Sequence, residues 1–267
     1  MAKRSHARRS NHYGMDDGGF QSGKKGRGKS ARKRKDDGNI VEMKSRSQQL
    51  ETAYSPQRTS QPLQAQTSAQ QAYIDAIKQN CLTFGIGPAG TGKSYCAGAL
   101  AAEALESGRI ERIILTRPAV EAGEQLGFLP GALDEKFSVY IDAFRDILNE
   151  RLGAGTVDYC LRHGRIVAAP LAFMRGKTFN NRTFVVLDEA QNTSIAQMKM
   201  FLTRIGEDCK VVINGDIEQS DIKGANGLAD AINKLRDLNT VHVHRFARED
   251  IVRSGLVRDI IDRYETT

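Results

Sequence analysis

The chain has 267 residues and a formal net charge of +7, which allows one large domain together with a tail. Its four cysteines are far apart, a spacing that excludes a disulfide framework and a cysteine-based zinc site. No segment reaches signal-peptide character or the roughly 18 apolar residues of a membrane span, so we expect a cytoplasmic protein without membrane contact.

Residues 1–60 form the first predicted segment, a basic and mostly disordered arm. They are rich in Ser, Gly, Gln, Lys and Arg and poor in branched apolar residues, so they cannot bury enough surface to fold. The first fifty residues carry a net charge of +9, whereas the rest of the chain carries −2. The basic run Gly23–Lys35 is typical of segments that bind nucleic-acid backbones, although a solubilising tail has a similar composition.

From about residue 66 onward, short apolar runs alternate with amphipathic stretches. Buried strands that alternate with helices predict an α/β domain over residues 66–267, with a mostly parallel sheet and helices on both faces. The predicted strands are Cys81–Ile86, Arg112–Thr116, Arg165–Ala168, Thr183–Leu187, Lys210–Ile213 and Thr240–Val243. The predicted helices are Tyr95–Glu106, Tyr140–Arg151, Ile195–Ile205 and Gly227–Leu238.

The first predicted strand runs into the phosphate-binding pattern GPAGTGKS at Gly87–Ser94, which is followed by a helix. Its glycines let backbone N–H groups turn toward a phosphate at a helix N-terminus. Lys93 is expected to reach the β- and γ-phosphates, and Ser94 to bind Mg²⁺. The predicted nucleotide-binding residues here are Gly87, Pro88, Ala89, Gly90, Thr91, Gly92, Lys93, Ser94 and Tyr95.

Two further strands end in polar residues, which in a parallel sheet meet at the ligand-binding edge. The strand Thr183–Leu187 ends in two carboxylates, Asp188 as a predicted Mg²⁺ ligand and Glu189 as the residue that orients or deprotonates water. After the next strand, either Gln219 or Asn214 is expected to sense the γ-phosphate or the attacking water.

These motifs, in this order, resemble those of the PhoH family, ATPases similar in their core to superfamily 1 nucleic-acid helicases. The resemblance covers roughly residues 66–267 and implies a RecA-like P-loop core. The stretches that match the family are Phe84–Ser94, Ile113–Glu124, Leu126–Gly131, Leu187–Asn192, Gln197–Arg204 and Asp250–Val257.

His242 and His244 lie two residues apart on a predicted strand. Metal binding by this pair is not expected, since no further ligands can be placed.

The resemblance implies roles for three more residues. Gln70 falls where such ATPases place an adenine-reading glutamine, although a solvated helix residue is the alternative. Arg117 matches the family's Thr-Arg-Pro motif, which implies contact with nucleic acid or phosphate. Arg253 matches a family arginine that implies contact with the γ-phosphate of a neighbouring subunit. For both arginines a structural salt bridge is the alternative.

The function expected from these features is Mg²⁺-dependent ATP hydrolysis coupled to the binding or remodelling of RNA or single-stranded nucleic acid. The alternative is a regulatory ATP-binding switch for assembly that hydrolyses ATP weakly. ATP and Mg²⁺ are the expected cofactors. Because one core must obtain an arginine from elsewhere, we expect a homo-oligomer, and specifically a hexameric ring.

Overall fold

A computed structural model describes residues 61–118, 133–176, 178–180, 182–221 and 224–252, together with residues 255 and 263. For residues 133–140 only the backbone is described. The predicted arm 1–60 with its basic run Gly23–Lys35, the motif Leu126–Gly131 and Arg253 lie outside the described residues.

The described strands form one parallel sheet of six strands in the order β3-β2-β4-β5-β1-β6. Every predicted strand is present, with ends that differ by at most two residues, so the predicted parallel α/β fold is confirmed. The strands are β1 Leu82–Ile86, β2 Arg112–Arg117, β3 Ile166–Pro170, β4 Thr183–Leu187, β5 Lys210–Gly215 and β6 Val241–Arg245.

One or two helices precede or connect most of the parallel strands, as parallel pairing requires of its crossover connections. The helix predicted over Ile195–Ile205 ends at Leu202, where the Thr203 hydroxyl bonds to the Met200 carbonyl and the chain turns. No helix in the described ranges is long and apolar enough to cross a membrane. The helices are α1 Ser68–Gln79, α2 Lys93–Glu106, α3 Leu133–Leu152, α4 Ala154–Arg162, α5 Ile195–Leu202 and α6 Gly227–Leu235, with 3-10 turns at Leu171–Met174, Ala190–Asn192 and Arg248–Asp250.

Two apolar clusters cover the two faces of the sheet. Alternate residues of one strand point to opposite faces, so Ile113 and Leu115 join the cluster formed with α1 to α4, whereas Ile114 joins the cluster formed with α5 and α6. The strands β1, β4 and β5 are buried along almost their whole length. Helices therefore pack on both faces, and the sheet presents only its edges and strand ends to ligands.

Candidate active site

The phosphate-binding pattern forms the connection between β1 and α2. Its glycines Gly87 and Gly92 have φ angles of 141° and 84°, in the region that side chains other than glycine avoid. An added Cβ would lie 2.5 Å from the Phe246 carbonyl oxygen at Gly87, and 2.6 Å from the Gln70 amide nitrogen at Gly92. Both conformation and close packing therefore require glycine at these two positions.

The Lys93 side chain folds into the hollow of this loop. Its Nζ donates to the carbonyl oxygens of Gly87 and Pro88, each at 2.7 Å, and to the Thr91 hydroxyl at 3.3 Å. Burial lowers the pKa of the Lys93 ammonium, and the carboxylates of Asp216, Asp188 and Glu189 partly oppose that change. The loop thus holds the Lys93 side chain through two carbonyl oxygens and one hydroxyl.

Asp188 follows β4 and lies beside the start of α2. The Ser94 hydroxyl donates to Asp188 Oδ1 at 2.9 Å, and Arg117 Nη2 donates to Asp188 Oδ2 at 2.9 Å. Asp188 is 3% exposed, so its negative charge depends on these two donors. The structure brings together the two predicted Mg²⁺ ligands, Ser94 and Asp188, although they are 94 residues apart in sequence.

Glu189 is held in an unusual backbone conformation, with φ 53° and ψ 38°. Its side chain is 48% exposed, lies 3.5 Å from Arg117 Nη2 and accepts a hydrogen bond from Gln191 Nε2 at 2.7 Å. The Gln191 carbonyl oxygen Oε1 in turn accepts from the Asp216 backbone N–H at 3.1 Å. Sequence reasoning missed this role of Gln191, which links the ends of β4 and β5. The sequence signal for this role was the amide side chain of Gln191, two residues after Glu189.

A cavity of about 300 Å³ lies between the phosphate-binding loop and the ends of β4 and β5. Lys93, Ser94, Asp188 and Glu189 line it, as does Gln219. Asn214 is instead fully buried and accepts a hydrogen bond from the Tyr73 hydroxyl at 2.5 Å. Of the two predicted phosphate sensors, Gln219 lines the cavity and Asn214 does not, and a sensing role for either residue stays a prediction.

A second cavity, of about 610 Å³, adjoins the first at the ends of β1 and β6. The two cavities share Asp216 and Gln219, and the larger one is also lined by Arg245 and Phe246. Together they form a cleft along the carboxyl edge of the sheet, the position at which open α/β sheets bind ligands.

The site's motifs coincide with a known family. A family model described as "PhoH-like protein" matches residues 62–265. The chain belongs to the PhoH family. The PhoH-like protein of Mycobacterium tuberculosis is 48% identical over 209 residues, and the PhoH-like protein of Bacillus subtilis is 49% identical over 205 residues. These alignments cover 78% and 76% of this chain.

This PhoH-family chain spans 59% of the length of the mycobacterial relative and 64% of that of the Bacillus relative. Among solved structures, the UvsW helicase from bacteriophage T4 superposes with a TM-score of 0.44 and 12% sequence identity. That superposition covers 77% of this chain and 69% of the helicase chain.

The PhoH resemblance assigns Gln70 to the adenine, and the structure places this residue against the phosphate-binding loop. Gln70 is 4% exposed, so the solvated-helix alternative is wrong. Its Nε2 donates to the Thr91 carbonyl at 3.1 Å, and its Oε1 accepts from the Gln66 N–H at 2.8 Å. Gln70 lines neither cavity, and adenine recognition by it stays a prediction.

Of the two arginines that match family motifs, the structure describes Arg117 but not Arg253. Arg117 forms the salt bridge weighed as its alternative, and the partners are Asp188 and Glu189 of the site itself. Arg253 lies outside the described residues. The preceding residue, Val252, donates its backbone N–H to the Gly90 carbonyl at 3.0 Å. The chain that leads to Arg253 is therefore bonded to the phosphate-binding loop of its own subunit.

Of the two histidines on β6, His242 is exposed and His244 is partly buried against aromatic rings of the core. The His244 ring centroid lies 5.4 Å from that of Tyr73 and 4.6 Å from that of Phe246. Burial is the main cause that lowers the pKa of the His244 imidazole. In the part of the chain that the structure describes, no group of three or more His, Cys, Asp and Glu side chains is placed to hold a metal ion.

Proposed function

We propose that this chain is a Mg²⁺-dependent ATPase. The observation that carries the proposal is the 2.9 Å contact between Ser94 Oγ and Asp188 Oδ1 beside the loop that holds Lys93. Hydroxyl and carboxylate oxygens are ligands that Mg²⁺ prefers, and the ion completes its shell with water and phosphate oxygens. Ser94 and Asp188 would hold it. Bound Mg²⁺ supplies neutralisation of the negative charge on the β- and γ-phosphates.

The other residues of the cleft suit the remaining steps of hydrolysis. Lys93 and the loop amides bind phosphate oxygens, which displaces the Lys93 ammonium from the loop carbonyls that it contacts. Glu189, oriented between Arg117 and Gln191, accepts a proton from the attacking water. Gln219 faces the same cavity and can donate or accept a hydrogen bond to that water or to the γ-phosphate.

The alternative is a regulatory switch for assembly that binds ATP and hydrolyses it weakly. A switch needs the phosphate-binding loop, but it has no need for a carboxylate that two side chains hold in place. The contacts of Glu189 with Arg117 and Gln191 favour hydrolysis over the switch. The unusual φ of Glu189 also favours it, because strained residues concentrate at functional sites.

Phosphate release measured with ATP, in the presence of Mg²⁺ or of EDTA, tests the ATPase. We expect turnover that requires Mg²⁺, and we expect Lys93→Ala to abolish nucleotide binding or turnover. Lys199→Ala, which changes an exposed helical lysine far from the loop in sequence, is the matched control and should keep wild-type turnover. Tight ATP binding without Mg²⁺-dependent turnover would support the switch instead.

We also propose that the protein binds RNA or single-stranded nucleic acid through the arm at residues 1–60. The support is the net charge of +9 on the first fifty residues, since each neutralised phosphate releases counterions. Deleting residues 2–50 should weaken RNA binding and flatten its salt dependence without lowering basal ATPase activity. Titrations of single-stranded RNA and DNA at two salt concentrations measure both quantities. Unchanged affinity and slope would assign the contacts to the core.

We propose finally that the active species is a homo-oligomeric ring, a hexamer, in which Arg253 stabilises charge on the γ-phosphate. Two placements of Arg253 compete. A neighbouring subunit can supply it, as head-to-tail rings allow. The bond between Val252 and Gly90 favours supply within one subunit.

Mixing an Arg253→Ala chain with a Lys93→Ala chain separates the two placements. Activity recovered in mixed rings would support supply from a neighbour, because some sites then combine an intact loop with an intact arginine. No recovery, in oligomers verified as mixed by light scattering and mass spectrometry, would assign Arg253 to its own subunit. A monomer with full turnover would contradict the ring.

A further inference from the structure

Arg117 is fixed beside Asp188 by the register between two neighbouring strands. β2 and β4 pair in parallel with Thr116 opposite Leu187, and the Asp188 N–H donates to the Thr116 carbonyl at 2.9 Å. The next residue on each strand is therefore Arg117 on one side and Asp188 on the other. Backbone pairing therefore places the two residues side by side, and the guanidinium reaches Asp188 from this fixed starting point.

In the structure, both carboxylate oxygens of Asp188 already have a donor. Ser94 Oγ donates a hydrogen bond to Oδ1, and Arg117 Nη2 donates one to Oδ2. Arg117 also lies 3.5 Å from Glu189 Oε1, so one cation serves two adjacent carboxylates. Without it, the nearly buried carboxylate of Asp188 and the adjacent, half-exposed carboxylate of Glu189 would repel each other.

The guanidinium is attached to the site at one end only. Its Nε is buried and has no hydrogen-bond partner among the described residues. The Arg117 side chain is 29% exposed, whereas that of Asp188 is 5% exposed. The ion pair can therefore open on the side of Arg117 without breaking a bond at Nε.

We propose that Arg117 is the counter-ion of Asp188 and that it competes with Mg²⁺ for this carboxylate. This inference rests on the proposed ATPase, because it assumes that Asp188 binds the metal. A divalent cation at Asp188 repels the guanidinium, which gives up Oδ2 and keeps Glu189 as its remaining partner. Arg117 thus acts as a positioning residue whose contacts report whether metal is bound.

Removal of the positive charge should strengthen metal binding if this competition exists. A salt bridge with only a structural role predicts the opposite, because loss of Arg117 would then let Asp188 move and would weaken metal binding. The affinity for the metal therefore separates the two roles, whereas ATPase activity alone falls in both cases.

The experiment measures Mn²⁺, the paramagnetic substitute for Mg²⁺, by electron paramagnetic resonance on the full-length chain with saturating ADP. We expect Arg117→Gln to bind Mn²⁺ about tenfold more tightly than the wild type, as removal of one close like charge from a partly exposed site implies. Arg117→Lys keeps the charge but loses the fork that bridges two carboxylates, so its affinity should lie between the two. Arg145→Gln, which removes an exposed arginine paired with Asp142 and Asp158, is the matched control and should bind as the wild type does.

Melting temperature supplies a second measurement. In EDTA, Arg117→Gln should melt below the wild type, because Asp188 and Glu189 then repel, and Mn²⁺ with ADP should remove most of that deficit. Should Arg117→Gln fail to fold, as judged by circular dichroism, Arg117→Lys carries the test alone. Mn²⁺ affinity equal to or below that of the wild type, in whichever folded variant is measured, would overturn the proposal.

Asp188→Asn distinguishes failure of this inference from failure of the proposed function. If the wild type binds no Mn²⁺ with ADP, or if Asp188→Asn binds it equally well, the metal site assumed for the ATPase is wrong and the inference fails with it. If Asp188→Asn abolishes Mn²⁺ binding while Arg117→Gln leaves it unchanged, only the competition is wrong.

Discussion

β4 and β5 are neighbours in the sheet, yet the polar side chains at their carboxyl ends have different surroundings. After β4, Asp188 and Glu189 carry charge and are bonded to Ser94, Arg117 and Gln191 through side chains that a ligand can displace. Near the end of β5, the Asn214 amide is fully buried and bonded to the Tyr73 hydroxyl. We infer that Asp188 and Glu189, at the β4 end, carry the chemistry of the proposed ATPase, and that Tyr73, Gly85 and Asn214 form a packed wall behind it.

The largest effect expected from this comparison is on turnover at the β4 end. Glu189→Gln keeps the size and hydrogen-bonding capacity of the side chain but removes the proton acceptor. We expect ATP hydrolysis to fall by about 10²–10⁴-fold and the melting temperature to stay near that of the wild type. Phosphate release and thermal unfolding measure the two. Glu207→Gln, at an exposed position between α5 and β5, is the control for the same chemical change. Near wild-type turnover of Glu189→Gln would remove the assignment of this base.

The next effect concerns stability at the β5 end. An added Cβ at Gly85 would lie 2.6 Å from the Tyr73 hydroxyl and 2.7 Å from Asn214 Oδ1. Gly85→Ala should therefore lower the free energy of unfolding by roughly 1–3 kcal/mol, the usual cost of overpacking. Tyr73→Phe should lower it by about 1–3 kcal/mol, because the buried Asn214 oxygen loses its donor.

The two changes should be coupled, because Tyr73→Phe removes the hydroxyl that the new methyl group of Gly85→Ala would meet. A double-mutant cycle by chemical denaturation should give a loss smaller than the sum of the two single losses. Gly155→Ala, where an added Cβ meets nothing within 4 Å, is the control for glycine replacement. Additive losses would mean that Tyr73, Gly85 and Asn214 do not form the wall inferred here.

A smaller effect on stability is expected for Glu189→Gly. Glycine relieves the left-handed conformation of residue 189, a gain of about 1–2 kcal/mol that offsets the greater freedom of glycine in the unfolded chain. We expect the free energy of unfolding to stay within about 1 kcal/mol of the wild type, with hydrolysis lost. Ala143→Gly introduces the same residue on the exposed side of α3 and should cost about 1 kcal/mol. A loss for Glu189→Gly well beyond that control would show that its side-chain contacts stabilise the fold.

The smallest expected effect is a difference in reactivity between two thiols, one before β1 and one near the start of α2. Cys81 is exposed just before β1, whereas Cys96 is buried in α2, where burial raises the pKa of its thiol to about 12. An aromatic disulfide reagent at mildly alkaline pH should label Cys81 rapidly and Cys96 only after unfolding. Cys81→Ser should remove the fast phase, and fast labelling of Cys96 would show that the helix behind the loop opens readily.

The raised pKa of the Cys96 thiol should also lower the stability of the protein at alkaline pH. Above the ordinary thiol pKa of 9.0, the unfolded chain loses a proton that folded Cys96 retains. The unfolded state then binds fewer protons, so the free energy of unfolding should fall as the pH rises from about 9 toward 12. Denaturation of Cys96→Ala, compared with the wild type across this range, should show a shallower decline.

The strands and the phosphate-binding loop could be predicted because their signals are local. Apolar runs such as Thr183–Leu187 mark buried strands, and GPAGTGKS fixes the loop at Gly87–Ser94. The helix α4, Ala154–Arg162, was not predicted. It is short and begins after a glycine, and its buried residues Val157 and Cys160 acquire a face to pack on only in the folded domain.

The contacts within the site could not be predicted, because they depend on which strands become neighbours. Arg117 meets Asp188 only because β2 pairs with β4, and the Tyr73 hydroxyl reaches Asn214 across 141 positions of sequence. From residue type alone, Arg117 could contact nucleic acid, contact phosphate or form a salt bridge. Residue type likewise did not show that Gln219 lines the cavity whereas Asn214 is buried beside Tyr73.

The position of Lys93 bears on how fast the site can take up a ligand. Its ammonium bonds to the Gly87 and Pro88 carbonyls, so the loop has a folded shape in which these two oxygens have a donor before any phosphate arrives. Uptake then exchanges one set of partners for another and requires little ordering of the backbone, which is the main entropic obstacle for loops that form on binding. Association should accordingly be limited by encounter and desolvation, with a small heat-capacity change and no slow folding phase.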